Sequence, residues 1–156
     1  MKISVTTSDF DLSTEVNALR ARQPQIGAVV SFVGLVRDLN HTSKVIAMEL
    51  EHYPAMTEAA LRDIVTAAQQ RWQIIDTTLI HRVGKLLPCD QIVLVAVASM
   101  HRHDAFSACE FMMDYLKTKA PFWKKEHTPD GAHWVDARES DDLAQQRWVM
   151  ADPTPR

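Results

Sequence analysis

The feature that most constrains the fold is Ile92–Val97, a run of six apolar residues of which four are β-branched. Both faces of such a strand must be covered, so the run is expected in the interior of a sheet. Nearby segments supply the cover. Met56–Trp72 carries apolar residues at helical spacing, and a second helix is predicted from about Asp104 to Thr118, with Phe106 among its core-facing residues. Pro121 then enforces its end.

Further β-rich runs predict the rest of the sheet. Ile26–Arg37 is almost wholly apolar and is predicted to be a central strand, and Gly34 within it indicates a bulge or a close backbone approach. Phe122–His127 and His133–Val135 flank a turn sequence and predict a β-hairpin. The order β-α-β-β-α-β-β-α-β-β-α predicts an α/β (α+β) fold, with a mixed sheet, packed helices and a small β-hairpin subdomain.

Length and composition place the chain among ordinary soluble domains. With 156 residues it corresponds to one domain, predicted to span 1–150, followed by a flexible C-terminal tail at 151–156. No run of about 18 apolar residues indicates a membrane span, and no signal peptide is recognisable, so a cytoplasmic location is expected. No G-x-G-x-x-G or phosphate-loop sequence occurs, which excludes dinucleotide-binding and nucleotide hydrolase folds.

Neither the cysteines nor the histidines predict a metal or disulfide site. Cys89 and Cys109 are too few and too far apart for a zinc site or a disulfide framework. No carboxylate stands at ligand spacing from the histidines near the ends of predicted strands, which are His52, His81, His101 and His103.

The distribution of charge points to an anionic ligand. The net charge is −3, which argues against a general nucleic-acid binder. Four lysines nevertheless fall between Lys117 and Lys125, with no acidic residue among them. A mildly acidic protein that concentrates positive charge in one segment usually meets an anion there, although a solvated basic face would give the same pattern.

Two of these lysines have surroundings that can alter their chemistry. Lys124 and Lys125 follow Pro121 and lie beside Phe122 and Trp123, so a stabilising position at a helix C-terminus does not explain them. Neighbouring cations and an aromatic wall disfavour an ammonium ion, so the pKa of such a lysine is expected below its usual value of about 10.4. A lysine of this kind can act as a nucleophile or a general base.

Other cations are predicted at strand and helix ends. His101 and Arg102 begin the helix that leads to Lys117, where backbone N–H groups attract anions; surface residues beside a capping aspartate are the structural alternative. Arg37 and Arg138 offer guanidinium groups suited to phosphate. Arg102 and Lys117 are fifteen residues apart, or about 22 Å along a helix, so they can serve one pocket only if a second copy supplies one end.

Met113–Lys125 reads MDYLKTKAPFWKK. This is the most specific of several segments that resemble the catalytic (large) subunit of molybdopterin synthase, the MoaE family. The other matching segments are Val30–Arg37, Leu50–Met56, Ile80–Gly84, Ser99–Arg102 and Trp134–Ser140. Together they extend in order from about residue 26 to residue 148, which makes chance similarity an inadequate explanation.

The resemblance implies an α/β hammerhead-type fold and a cytoplasmic sulfurtransferase. It implies a homodimer within a heterotetramer, with no cofactor, no nucleic acid and no membrane. A small ubiquitin-like carrier subunit would thread its C-terminal Gly-Gly thiocarboxylate into a pocket of this subunit. The sulfur would pass to cyclic pyranopterin monophosphate, and two transfers would form the dithiolene of molybdopterin.

The matching segments also imply residue roles. Lys117 and Lys124 correspond to the catalytic lysines, and Phe32 and Met113 to pocket-lining residues. The implied substrate-binding set is Leu35, Val36, Arg37, His101, Arg102, Lys117, Lys124, Lys125, Glu126 and Arg138. Leu35 departs from the lysine or polar residue common in the family, so any contact there would be apolar or through the backbone.

Two other functions compete with sulfur transfer. The first is a noncatalytic dimeric scaffold whose basic groove binds the acidic or carboxylate-terminated tail of a partner. The second is a small RNA or nucleotide binder that stacks bases on Phe122 and Trp123. The net charge of −3 and the lack of a wider basic stripe count against the second.

Overall fold

The computed structural model describes residues 1–21, 23–40, 43–136 and 138–150, so the predicted tail at 151–156 lies outside the described residues. The strands are β1 (Lys2–Thr6), β2 (Ala28–Leu35), β3 (Leu39–Asn40), β4 (Ser43–Lys44), β5 (Ala47–His52), β6 (Ile74–Arg82), β7 (Gly84–Leu86), β8 (Gln91–Ser99), β9 (Phe122–Thr128) and β10 (Gly131–Val135). The helices are α1 (Leu12–Arg20), α2 (Pro54–Gln69), α3 (Arg102–Lys119) and α4 (Glu139–Met150).

The first sheet has the order β1-β6-β8-β2 and is mixed, because β1 and β6 are parallel whereas the other pairs are antiparallel. The interior position of β8 confirms the prediction made from its composition. Val93, Val95 and Val97 pack in the core beneath α2 and α3, whereas Leu94 and Ala96 pack in the core that includes Leu19 of α1. Each face of the strand is therefore covered by helix.

The prediction that residues 26–37 form a central strand is wrong for the single chain. β2 lies at the edge of the first sheet, with β8 on one side and no described strand on the other. Its apolar composition reflects packing of Val29 and Val33 against one core and of Val30 against the other, although Phe32 further along the strand is 42% exposed. The Gly34 prediction is confirmed: a Cβ there would lie 2.8 Å from Cγ1 of Val93, and the strand register shifts between Gly34 and Leu35.

The second sheet has the order β10-β9-β5-β7 and is antiparallel throughout. The predicted hairpin β9–β10 is confirmed. Strand β5 pairs with β9 on the side away from β10, so the hairpin is part of this larger sheet. A small core of Val36, Met48, Leu50, Val83 and Leu86 underlies the sheet. The partly buried side chain of Phe122 packs against both this core and the main one, and so links the two sheets.

Helix α3 connects the two sheets and sets the position of the site. It buries Ala105, Ala108 and Met112, whereas Phe106 is 62% exposed, so the prediction that Phe106 faces the core is wrong. The helix ends at Lys119 because Ala120, which precedes a proline, is extended with φ −74° and ψ 131°. Among the described residues, no helix combines the length and apolar character needed to cross a membrane.

Candidate active site

A cavity of about 490 Å³ lies where the end of α3 meets β9 and the edge strand β2. The residues that line it include Phe32, Leu35, Arg37, His81, Met113, Lys117, Phe122, Lys124 and Arg138. A second cavity of about 210 Å³ shares both lysines and both arginines with it, so the two form one site. The second cavity adds the acidic side chains Glu126, Asp136 and Asp141. The site is therefore cationic at its centre and acidic at one margin.

Chain geometry explains how Lys117 and Lys124 meet. Lys117 is in the last turn of α3, which ends at Lys119. The next residue, Ala120, is extended, and β9 begins at Phe122, three residues after the end of the helix. Successive side chains of a strand point to opposite faces, so Phe122, Lys124 and Glu126 face the cavity together. Lys125 is on the opposite face, where its Nζ lies 5.2 Å from the ring centroid of Trp134. Within one chain Lys125 therefore lies on the other face of β9 from Lys124, and its predicted substrate contact stays a prediction.

Helix α4 brings the chain after the hairpin back to the cavity. The Arg147 guanidinium donates hydrogen bonds to Glu110 (2.7 Å) and Asp114 (2.6 Å), both on α3. This anchors α4 against α3, and Arg138 and Asp141, at or beside the start of α4, line the cavity. A sequence-distant arginine and carboxylate therefore join the two lysines.

Lys124 has the lowered pKa that its sequence neighbourhood suggested. Burial lowers the pKa of Lys124 to about 8, with a further contribution from the Lys117 charge. The negative charges of Asp141 and Glu126 raise the pKa of Lys124, whereas the positive charge of Arg138 lowers it. Near pH 7, about a tenth of the Lys124 side chains are then free amines, compared with about one in 2,500 for an ordinary lysine. The sequence-adjacent Lys125 is not among the causes.

His81 is one of the residues of this site that sequence reasoning missed, and Asp136 and Asp141 are others. The ring is 8% exposed and stacks on Phe122 with ring centroids 3.8 Å apart and planes at 15°. Its Nδ1–H donates a hydrogen bond of 2.8 Å to the Arg82 carbonyl. Burial lowers the pKa of His81 to about 4, helped by the charges of Lys124 and Lys117. A histidine at the end of an apolar strand was the available signal, because a buried polar ring requires a partner or a cavity.

The predicted residues in β2 and directly after it divide between the site and the core. Phe32, Leu35 and Arg37 line the cavity, as does Met113 of α3. Val36 is 2% exposed and points into the small core. Its N–H donates to the Asp90 carbonyl and its carbonyl accepts from the Cys89 N–H. The Val36 side chain is thus buried in the small core, and the predicted substrate contact of this residue stays a prediction.

His101 and Arg102 are not brought to the lysines within one chain. They line a separate depression with Gly27, Met100, His103 and Phe106. Arg102 and Lys117 lie near opposite ends of the 18-residue helix α3, which agrees with the separation expected from the helical rise. Both ends can therefore contribute to one site only across two copies of the chain.

Comparison with known proteins identifies the family. The family model described as MoaE protein matches residues 5–119, which is well over half of the chain. The chain belongs to the MoaE family. A relative from Ralstonia nicotianae named molybdopterin synthase catalytic subunit is 66% identical over 94% of this chain and 83% of its own length.

Solved structures of the MoaE family agree with the fold. The MoaE protein from Burkholderia ambifaria superimposes with a TM-score of 0.82 at 62% identity, over 95% of this chain and 97% of that one. Molybdopterin synthase from Staphylococcus aureus gives 0.78 at 33% identity, over 85% and 95% of the two chains. The predicted α+β class and the predicted identity as a molybdopterin synthase catalytic subunit, a sulfurtransferase, are confirmed.

Proposed function

We propose that the cavity between α3 and β9 is where this MoaE chain transfers sulfur to cyclic pyranopterin monophosphate. The donor is the C-terminal thiocarboxylate of a small ubiquitin-like carrier subunit, and Lys117 and Lys124 are the catalytic lysines. The observation that carries the proposal is the convergence of Lys117, Lys124, Arg37 and Arg138 on one cavity in which burial has lowered the pKa of Lys124.

The charges of the cavity suit two anionic reactants. A phosphate and a thiocarboxylate repel each other, and four cationic side chains offset that repulsion and stabilise negative charge in the transition state. The guanidinium groups of Arg37 and Arg138 match the oxygens of a phosphate. The apolar wall of Phe32, Leu35 and Met113 suits the non-polar surfaces of a pterin and a glycine tail.

The lysine pair supplies the proton that the reaction needs. The thiocarboxylate sulfur forms a C–S bond to the pterin side chain while a C–O bond there breaks, and the departing oxygen takes a proton. Lys124, with a pKa of about 8, can give that proton and recover it near neutral pH. Water then cleaves the bond between this sulfur and the carrier carbonyl carbon, which leaves a thiol on the pterin and a carboxylate on the carrier.

The assembly is part of the same proposal. A homodimer would let one copy contribute His101 and Arg102 to the cavity of the other, because the two ends of α3 are too far apart within one chain. Two carrier subunits would complete a heterotetramer. A cytoplasmic location is proposed as well, since Cys89 and Cys109 are both free thiols.

The decisive experiment is reconstitution. The purified chain is mixed with thiocarboxylated carrier and precursor, and molybdopterin is measured. Lys117→Ala is expected to abolish dithiolene formation while it largely preserves carrier binding. Lys119→Ala is the matched control, because Lys119 is in the same helical turn, is exposed and does not line the cavity. A noncatalytic scaffold predicts no product from the unmutated chain and weaker carrier binding in Lys117→Ala.

A further inference from the structure

One wall of the proposed active site is a neutral ring with an open nitrogen. His81 is at the end of β6, a strand buried along most of its length, and its side chain lines the same cavity as Lys117 and Lys124. The proposed lysine and arginine roles make no use of this ring. A buried polar ring that faces a ligand cavity requires an explanation of its own.

The hydrogen bond of Nδ1 fixes the tautomer. A backbone carbonyl can only accept, so the Nδ1 atom 2.8 Å from the Arg82 oxygen carries the hydrogen. The neutral ring then has its lone pair on Nε2. Among the described residues, Nε2 of His81 has no hydrogen-bond partner, and it is not one of the sealed unpartnered atoms, which are Thr77 Oγ1 and Arg82 Nε. Nε2 is therefore accessible from the cavity.

The orientation of this acceptor is fixed before any ligand arrives. The His81 ring lies flat against Phe122, and the other neighbouring aromatic ring of Phe122 is that of His52, 6.2 Å away. With one edge hydrogen-bonded to backbone and one face stacked, the imidazole has little freedom to turn. A preorganised acceptor loses little entropy when it binds a donor.

We propose that His81 is a further substrate-contacting residue of this site, whose Nε2 accepts a hydrogen bond from an N–H group of the bound ligand. This inference rests on the proposed function. Both reactants offer such a donor: the peptide N–H of the terminal glycine of the carrier, and the ring N–H groups of the pterin. The shared chemistry is an amide-type N–H, and separate binding measurements distinguish the two sources.

The surroundings favour an acceptor over a base or a cation. Burial lowers the pKa of His81 to about 4, and the charges of Lys124, Lys117 and His52 oppose its protonation. A base this much weaker than Lys124 does not retain a proton taken from it. The residues that line the larger cavity with His81 include lysines and arginines but no described carboxylate, and as cations these side chains donate hydrogen bonds, so a neutral imidazole supplies an acceptor for an N–H group.

Two substitutions separate this role from a structural one. The amide nitrogen of His81→Asn is as many bonds from Cα as Nδ1, so it can keep the bond to the Arg82 carbonyl but leaves no acceptor at Nε2. The amide oxygen of His81→Gln is as many bonds from Cα as Nε2, so it restores the acceptor and loses the Arg82 bond. The ligand-contact role predicts weaker binding in His81→Asn, by about three- to tenfold, and near-normal binding in His81→Gln.

Binding of each reactant is measured separately by calorimetry. The probes are the carrier with an ordinary C-terminal carboxylate, and the phosphorylated pterin precursor. The probe that supplies the donor is the one whose affinity falls in His81→Asn. A structural role predicts the reverse order, with His81→Gln the weaker binder, and that result overturns the proposal, as does equal binding by both variants and the unmutated chain.

A measurement on the unmutated chain covers the case in which a variant does not fold. In ¹⁵N NMR spectra of the imidazole, ligand addition is expected to shift the Nε2 resonance of His81 and to leave Nδ1 nearly unchanged. An unmoved Nε2 resonance at saturating ligand overturns the proposal. Reconstituted synthesis by the unmutated chain tests the proposed function independently, so product formation with an unmoved Nε2 rejects only the role of His81.

Discussion

Two single substitutions near Lys124 are expected to shift its pKa in opposite directions. The difference between its ordinary value of 10.5 and about 8 corresponds to about 3 kcal/mol in favour of the free amine. Burial is the largest cause and remains after any single charge is removed. Lys117→Met removes a repelling cation, so the pKa of Lys124 is expected to rise but to stay below 10.5. Asp141→Asn removes an attracting carboxylate, so the pKa is expected to fall below about 8.

The size of each effect follows from the same quantities. If the Lys117 charge accounts for about 1 kcal/mol, its removal lowers the free-amine fraction of Lys124 at neutral pH about fivefold. The opposite change is bounded. About a tenth of the Lys124 side chains are already free amines at pH 7, so Asp141→Asn can raise that fraction by at most about tenfold.

Acylation measured against pH tests both variants. A small activated ester modifies free amines, and mass spectrometry of the Lys124 peptide gives the rate at each pH. The midpoint of the curve is compared rather than the rate, because a substitution also changes access to the amine. The exposed Lys85 on β7 is the internal control. Equal midpoints in both variants, or shifts opposite in direction to those expected, would refute the electrostatic reasoning, and an unmutated midpoint above 10 would refute the role of burial.

Three further predictions follow from the site and the fold. The pKa of His81 falls from 6.5 to about 4 on folding, so between these pH values the unfolded chain binds one proton more than the folded chain. The free energy of unfolding is therefore expected to fall as the pH drops from about 6.5 to about 4. Urea titrations should show a smaller fall over this range in His81→Asn than in the unmutated chain. Gly34→Ala places a Cβ 2.8 Å from Val93 Cγ1 and is expected to lower the free energy of unfolding by about 1–3 kcal/mol. Val93→Ala removes that carbon, so the loss in the double mutant is expected to be smaller than the sum of the two single losses. Additive losses in urea unfolding would contradict the clash. In reconstituted synthesis, Lys124→Ala is expected to lower the rate about 100-fold or more, whereas Lys125→Ala is expected to lower it less than about threefold. The reason is that the two side chains lie on opposite faces of β9. Equal losses of rate would place Lys125 in the site.

The lowered pKa of Lys124 shows how far local sequence reasoning reaches. An aromatic neighbour and adjacent cations predicted the direction of the change. The cations responsible are Lys117, from the end of α3, and Arg138, from beyond the hairpin. The adjacent Lys125 plays no part because strand geometry turns it to the other face. The direction of the shift could be predicted from the sequence, whereas burial, its largest cause, depends on tertiary packing.

Strands β8 and β2 also differ in how well their positions in the sheet could be predicted from the sequence. Ile92–Val97 is apolar at every position, and a strand with two apolar faces is expected in the interior of a sheet, which is where β8 lies. The apolar run that contains β2 is as suggestive, yet β2 lies at an edge with Phe32 partly exposed beside the cavity. An edge strand that packs against two cores and forms a pocket wall requires apolar residues too, and composition does not distinguish it from a central strand.

From the amino-acid sequence one could predict the α+β class, the confirmed helices and hairpin, the family and the lysines around Pro121. Those features depend on local periodicity, on residues that break helices and on contiguous motifs. Only tertiary packing shows that Asp141 lies beside Lys124, that Val36 is buried, and that the ring of His81 presents one nitrogen to the cavity. These depend on how distant segments pack, because burial and charge act through space and not along the chain.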